Sequence, residues 1–298
     1  MSRRPHRWER GATGGDDFPI RDADLLDAAL DAGMPDVLLG EGDRPDAFDA
    51  PRVAIVGTRA ATPMGIADAR EIAAFCVRAG LTVVSGLAIG IDAAAHEGAL
   101  DAGGLTVGVV ATGLDIVYPR RHERLYARVR EHGVIVGENE YGTQPLPWRF
   151  PIRNRIFASL ADAVVVVEAG RTGGASITAR YGFDYQRHVY ALPGSRRNPA
   201  AAGCNALILD GAKPLLDPSD VLFAVGQGGT MTGGWMPAPK PPADRDQRAV
   251  LRAMGGDGAT IDEIERRCAL PAERLGAALR GLERTGRLQR RRGLWWPK

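Results

Sequence analysis

The chain has 298 residues, 45% of them hydrophobic and 25% charged, with a formal net charge of +2. This composition places it among ordinary soluble globular proteins, long enough for one large domain and a small one. It predicts no bilayer-spanning helix, since no apolar stretch approaches the roughly 20 residues such a helix needs.

Met1–Asp17 is rich in Arg and Gly and has no apolar core, so it reads as a disordered leader rather than a secretory signal. Residues 18–50 follow as a short helical lead-in, Ala23–Ala32, packed on the main domain. Apolar runs then predict strands at Val53–Val56, Thr82–Ser85, Thr106–Ala111, Val134–Gly137, Ala163–Glu168 and His188–Leu192. Helical spacing between them predicts helices at Gly65–Ala79, Ile91–Ala102, Arg121–His132, Arg153–Leu160 and Ile177–Gln186. Strands apolar on both faces and separated by helices imply a doubly wound parallel sheet of the α/β class, over residues 51–225. Residues 226–245 form a Gly/Pro-rich linker. Residues 246–298 have the pattern of a small C-terminal winged-helix domain. Asp246–Met254 is a helix, Thr260–Glu263 a capping box, and Pro271 opens a third helix to about Arg284. An extended basic and aromatic segment, Arg287–Trp296, ends the pattern.

Charge is unevenly spread. Asp244–Lys298 holds 13 basic and 8 acidic residues, and the rest of the chain 25 basic and 28 acidic. A large domain that is acidic on average binds a polyanion only where positive charge is gathered locally. Pro147–Arg155 is such a place, with three arginines, two aromatics and an asparagine in nine residues. Arginine forks grip phosphate, and aromatic rings stack on unpaired bases.

In an open parallel sheet, ligands bind at the carboxyl ends of the strands. The loops predicted there share one character. They are Gly57–Gly65, Ser85–Asp92, Thr112–Asp115, the segment from Glu138 to Arg155, Gly170–Thr178 and Pro193–Arg197. Nearly all supply glycine for close backbone approach, together with hydroxyl or arginine donors, ahead of helix N-termini. Arg59 fits a phosphate contact better than a buried ion pair, because Gly57 and the coming helix form an anion nest beside it. Arg153 and Arg155, two apart on a helix, point to different faces, which leaves one for a phosphate and one for an acid such as Glu138 or Glu168. Phe150 either stacks a base or staples the chain to the core. Asp92 and His96 read as a capping carboxylate and a packed histidine before an acid–base pair. Neither a GxGxxG fingerprint after the first strand nor a Walker A motif occurs, and no cofactor is expected. Cys76, Cys204 and Cys268 lack metal spacing and read as reduced thiols of a cytoplasmic protein, with no metal site.

Arg52–Leu222 resembles the DNA-processing protein family DprA, also called Smf. The matching pieces are Val53–Arg59, Ser85–His96, Gly113–Asp115 with Tyr118-Pro119, Phe150–Ile156, Val167–Ala169, Ala191–Ser195 and Gly203–Ile208 running into Gly211-Ala212. The resemblance implies an extended Rossmann-like domain with a winged-helix accessory. It also implies a non-enzymatic role in natural transformation and recombination: binding and protecting single-stranded DNA, dimerising, and loading the RecA recombinase. By motif match the DNA-facing residues are Gly57, Thr58, Arg59, Ser85, Gly86, Phe150, Arg153, Asn154 and Arg155, with Gly173, Gly174 and Ser176 completing the pocket. The chain departs from the family pattern where the hydroxyl of the fifth loop stands at Ser176 rather than Gly173. It departs again at Gln186, Ser159 and Ala161. The alternative is a Rossmann-like nucleotide or nucleoside phosphoribohydrolase using Glu168 and the Gly173–Thr178 loop.

Overall fold

Runs of valine, isoleucine and alanine form the predicted strands in a computed structural model that describes residues 6–9, 35–226, 244–254, 259–268, 270–284, 288–291 and 294–297. The larger of two compact units lies within residues 1–234. Its described part is a nine-stranded sheet. In chain order the strands are β1 (His6–Glu9), β2 (Val37–Glu41), β3 (Arg52–Val56), β4 (Thr82–Ser85) and β5 (Thr106–Val109), then β6 (Gly133–Gly137), β7 (Ala163–Val166), β8 (His188–Ala191) and β9 (Lys213–Pro214). The spatial order is β1-β2-β6-β5-β4-β3-β7-β8-β9, parallel from β6 to β9 and antiparallel at β1 and β2. The doubly wound parallel sheet read from the sequence is therefore present.

Alternation along the strands sorts side chains to two covered faces. Val53 and Ile55 pack beneath helices α1 (Pro63–Arg78) and α2 (Ile91–Asp101), with Ile72, Cys76 and Ala95. Ala54 and Val56 face the other way, toward α4 (Arg149–Leu160), α5 (Gly174–Asp184) and α6 (Ala202–Leu209), with Ile156, Phe157, Ala179 and Cys204. Helix α3 (Glu123–Glu131) lies between β5 and β6 in sequence and closes a third cluster through Leu125, Tyr126 and Val129.

Two expectations are corrected. The leader over residues 1–17 contains strand β1, which pairs with β2 through His6–Gly40 and Glu9–Val37. β2 is a short apolar strand whose Leu38 and Leu39 are buried, and a second strand satisfies the hydrogen-bonding edge it leaves open. The Ala23–Ala32 helix lies outside the described residues. Helix α4 begins at Arg149 rather than Arg153. Pro151 sits in its first turn, where amide groups lack intrahelical partners and a missing N–H costs nothing. Arg153 is thereby placed one turn inside the helix.

The second unit, within residues 235–298, is built from α7 (Arg245–Met254), α8 (Ile261–Cys268), α9 (Ala272–Arg284) and the hairpin β10 (Leu288–Arg291) and β11 (Leu294–Pro297). Its own core holds Val250, Met254, Ile264, Leu279, Leu282, Leu288 and Trp295. The predicted capping box is formed, since Thr260 N donates to Glu263 Oε2 at 2.8 Å and Glu263 N to Thr260 Oγ1 at 3.2 Å. Three helices and a hairpin make the winged-helix arrangement.

Candidate functional site

From β3 the chain winds outward through β4, β5 and β6, then returns to lay β7 on the opposite side of β3 and continues to β8 and β9. The sheet therefore has a topological switch point between β3 and β7, and the loops leaving those two strands part around a crevice. A cleft of about 430 Å³ lies there. One wall is Gly57, Thr58 and Arg59 with Ala88, and another is Gly170, Thr172, Gly173 and Gly174. Tyr118, Pro145, Pro147 and Phe150 form the rim, with Asp92, Arg153, Asn154 and Phe157 below.

Each wall is held by its own chemistry. Glu168, just beyond β7, caps the start of α1: Oε2 accepts from Thr62 N at 2.8 Å and Oε1 from Thr62 Oγ1 at 2.5 Å. Its carbonyl accepts from Thr58 N at 2.7 Å, which ties the two loops together. Gly90 has φ of +87°, and a Cβ there would stand 2.4 Å from the Thr58 carbonyl oxygen, so only glycine lets the second loop press against the first. Helix α5 opens at Gly173 without a side-chain cap, and its first residues line the cleft. Those orphan amides carry the partial positive charge of a helix N-terminus. Asn154 Nδ2 donates to the Gly174 carbonyl at 3.0 Å and fixes α5 against α4.

The two charged groups of the floor are buried together. Arg153 is 4% exposed, and its Nη1 donates to the carbonyls of Gly86 and Val109 while the guanidinium lies 4.4 Å from the Phe157 ring centre. Asp92 hydrogen-bonds backbone at Ala88 and Gly57. Burial pushes the Asp92 carboxyl up and the Arg153 guanidinium down to about 10, while each favours the charged form of the other. A Cβ on Gly86 would meet Asp92 Oδ2 at 2.5 Å and Arg153 Nη1 at 2.9 Å, so this glycine makes room for the pair. The floor is thus nearly neutral. The exposed cation of the cleft is Arg59, which makes no ion pair among the described residues and lies 5.0 Å from the centre of the Phe150 ring.

The structure brings Gly57, Thr58, Arg59, Phe150, Arg153, Asn154, Gly173 and Gly174 to one cleft. It moves four other residues away from it. Ser85 is fully buried, its hydroxyl donating to the Ile55 carbonyl at 2.6 Å within the sheet. Gly86 is buried as spacer behind Arg153. Arg155 turns to the far side of α4, where Nη1 donates to Glu138 Oε1 at 2.8 Å, the partner foreseen for one arginine of the pair. Ser176 is half-buried on α5 and does not line the cleft; the hydroxyl of that helix that does is Thr178, spent on the Gly174 carbonyl at 3.2 Å. His96 is a packed histidine, with Nδ1 2.7 Å from Thr106 Oγ1. The sequence reading missed Tyr118, which lines the rim beside Phe150; its only signal was the Tyr-Pro pair among the matched motifs.

The model of the family DNA recombination-mediator protein A matches residues 16–226, and a DprA winged helix domain matches residues 236–293. The chain belongs to this family. A Mycobacterium tuberculosis relative assigned as DprA is 43% identical over 254 residues, which cover 83% of this chain and 64% of that one. The chain thus spans less than two thirds of the length of that relative. The DNA processing protein DprA of Streptococcus pneumoniae is 40% identical over 177 residues, 59% of this chain and 62% of that protein. Its crystal structure superposes with a TM-score of 0.63 at 38% identity, covering 68% of this chain and 70% of that one. DNA processing protein A of Helicobacter pylori, solved to describe its single-stranded DNA binding mode, gives a TM-score of 0.60 at 28% identity, over 66% of this chain and 90% of that one. Among the described residues no helix is long and apolar enough to cross a membrane.

Proposed function

We propose that the switch-point cleft holds single-stranded DNA, and that the protein acts without catalysis, protecting incoming strands in transformation and recombination and delivering them to RecA as a cytoplasmic homodimer. The observation that carries this reading is the exposed Arg59 guanidinium beside the Phe150 ring, facing the uncapped start of α5 across one cleft. Cation, ring and amides are the three groups that hold a phosphate–base repeat. The Helicobacter pylori relative, described as binding single-stranded DNA, supports the same ligand. A hydrolytic role draws no support from Glu168, whose two oxygens are both engaged by Thr62.

Arg59→Ala tests the reading. Each phosphate neutralised on a single strand contributes about 0.7 to the slope of log affinity against log salt. The variant is expected to weaken oligothymidine binding and flatten that slope by about this amount. Wild-type affinity and slope in the variant overturn the assignment. Nucleoside monophosphates incubated with the protein are expected to release no free base.

A further inference from the structure

Tyr118 belongs to the matched motifs of the chain but has no role in the contacts assigned so far. Tyr118 is 39% exposed at the rim of the cleft, and its ring centre lies 5.3 Å from that of Phe150 at an interplanar angle of 43°. The Arg59 guanidinium touches the same Phe150 ring. The three side chains therefore run in sequence: cation, ring, ring. The backbone beneath Tyr118 is held in place. Tyr126, almost fully buried on α3, donates its hydroxyl to the Tyr118 carbonyl at 3.0 Å and accepts from the Tyr118 amide at 3.4 Å. A large side chain left partly in water on a fixed backbone offers apolar surface at the rim of the cleft. A backbone so held leaves little chain ordering to be done on binding.

We propose that Tyr118 is a second base-stacking platform, continuing the one offered by Phe150, so that the cleft seats two successive bases while Arg59 takes the backbone between or beside them. This rests on the cleft being a single-stranded DNA site. Tyr126 acts through Tyr118 and is a positioning residue. Stacking on a ring tolerates every base, because each has a π-face, so the platform adds affinity without sequence preference. It adds no charge contact, so its contribution is independent of salt.

The test pairs two ligands with the full-length protein: oligothymidine, and an abasic deoxyribose-phosphate oligomer of the same length and charge. Wild-type protein is expected to prefer oligothymidine. Tyr118→Ala is expected to weaken oligothymidine about tenfold, leave the abasic oligomer unaffected, and keep the salt slope. Tyr118→Phe, which keeps the ring, restores the affinity. Equal weakening toward both oligomers, or none toward either, overturns the stacking role. Wild-type protein that binds neither oligomer overturns the DNA-site reading itself, and the stacking role with it.

Discussion

Two arginines separated by one residue have opposite fates here. Arg153 supports the cleft from below through backbone carbonyls, and Arg155 is paired with Glu138 on the far side of the same helix. Their spacing made divergence certain, but which one entered the interior depended on where the helix began, and Pro151 concealed that. Arg59 was legible because a lone arginine after a strand-ending glycine has few structural partners within reach. Ser85 was not, because a hydroxyl at a strand end serves equally as a sheet hydrogen-bond donor. His96 carries a prediction of its own. Its ordinary value of 6.5 is pushed down to about 3 by burial, so the unfolded chain takes up a proton there that the folded chain refuses. Stability contributed by neutral His96 is complete above the higher value and drains away as pH falls through the window. The raised carboxyls act in the opposite sense: Asp68, pushed up to about 6, and Asp92 bind protons more readily in the folded protein. The clean readout is therefore a difference. His96→Asn, which keeps a donor for Thr106, is expected to lose less thermal stability than wild type between about pH 6.5 and pH 4. Parallel losses in the two proteins contradict it.

The central elements of the large unit were legible in order and kind because a strand buried on both faces has to be continuously apolar, and helices between such strands show their own period. Strands β1 and β2 escaped notice for the same reason: at four and five residues, on the antiparallel edge, they have no long apolar run. Helix α6 overlaps the Gly203–Ile208 motif, yet at eight residues it spans little more than two turns, too short for a helical period to show. At the start of α1, a threonine cap and a carboxylate from the loop after β7 act together; the sequence reading began this helix at Gly65 and foresaw neither. Thr62→Ala removes the acceptor for Gly65 N and leaves Glu168 without its hydroxyl donor. The expected cost is about 1–2 kcal/mol in denaturant unfolding. A change of a few tenths or less shows that the cap contributes little.

Across the molecule, a net charge of +2 conceals a large unit that is acidic on balance, whose cleft carries one exposed cation, Arg59, among its described lining residues. Such a surface does not attract polyanions in general. Heparin is expected to displace bound oligothymidine poorly at equal charge concentration, whereas a proteins-wide basic field would let it compete well. Efficient displacement by heparin contradicts a base-dependent cleft. The reversal of winding between β3 and β7 has one more outcome. Arg59 arrives with the first half of the sheet, and Phe150 and Gly173 arrive with the second. A chain severed near residue 140 would divide the groove along its length and leave one lip on each fragment. An oligonucleotide spanning both lips would then behave as a splint, and occupancy of the groove would be readable as fragment reassembly.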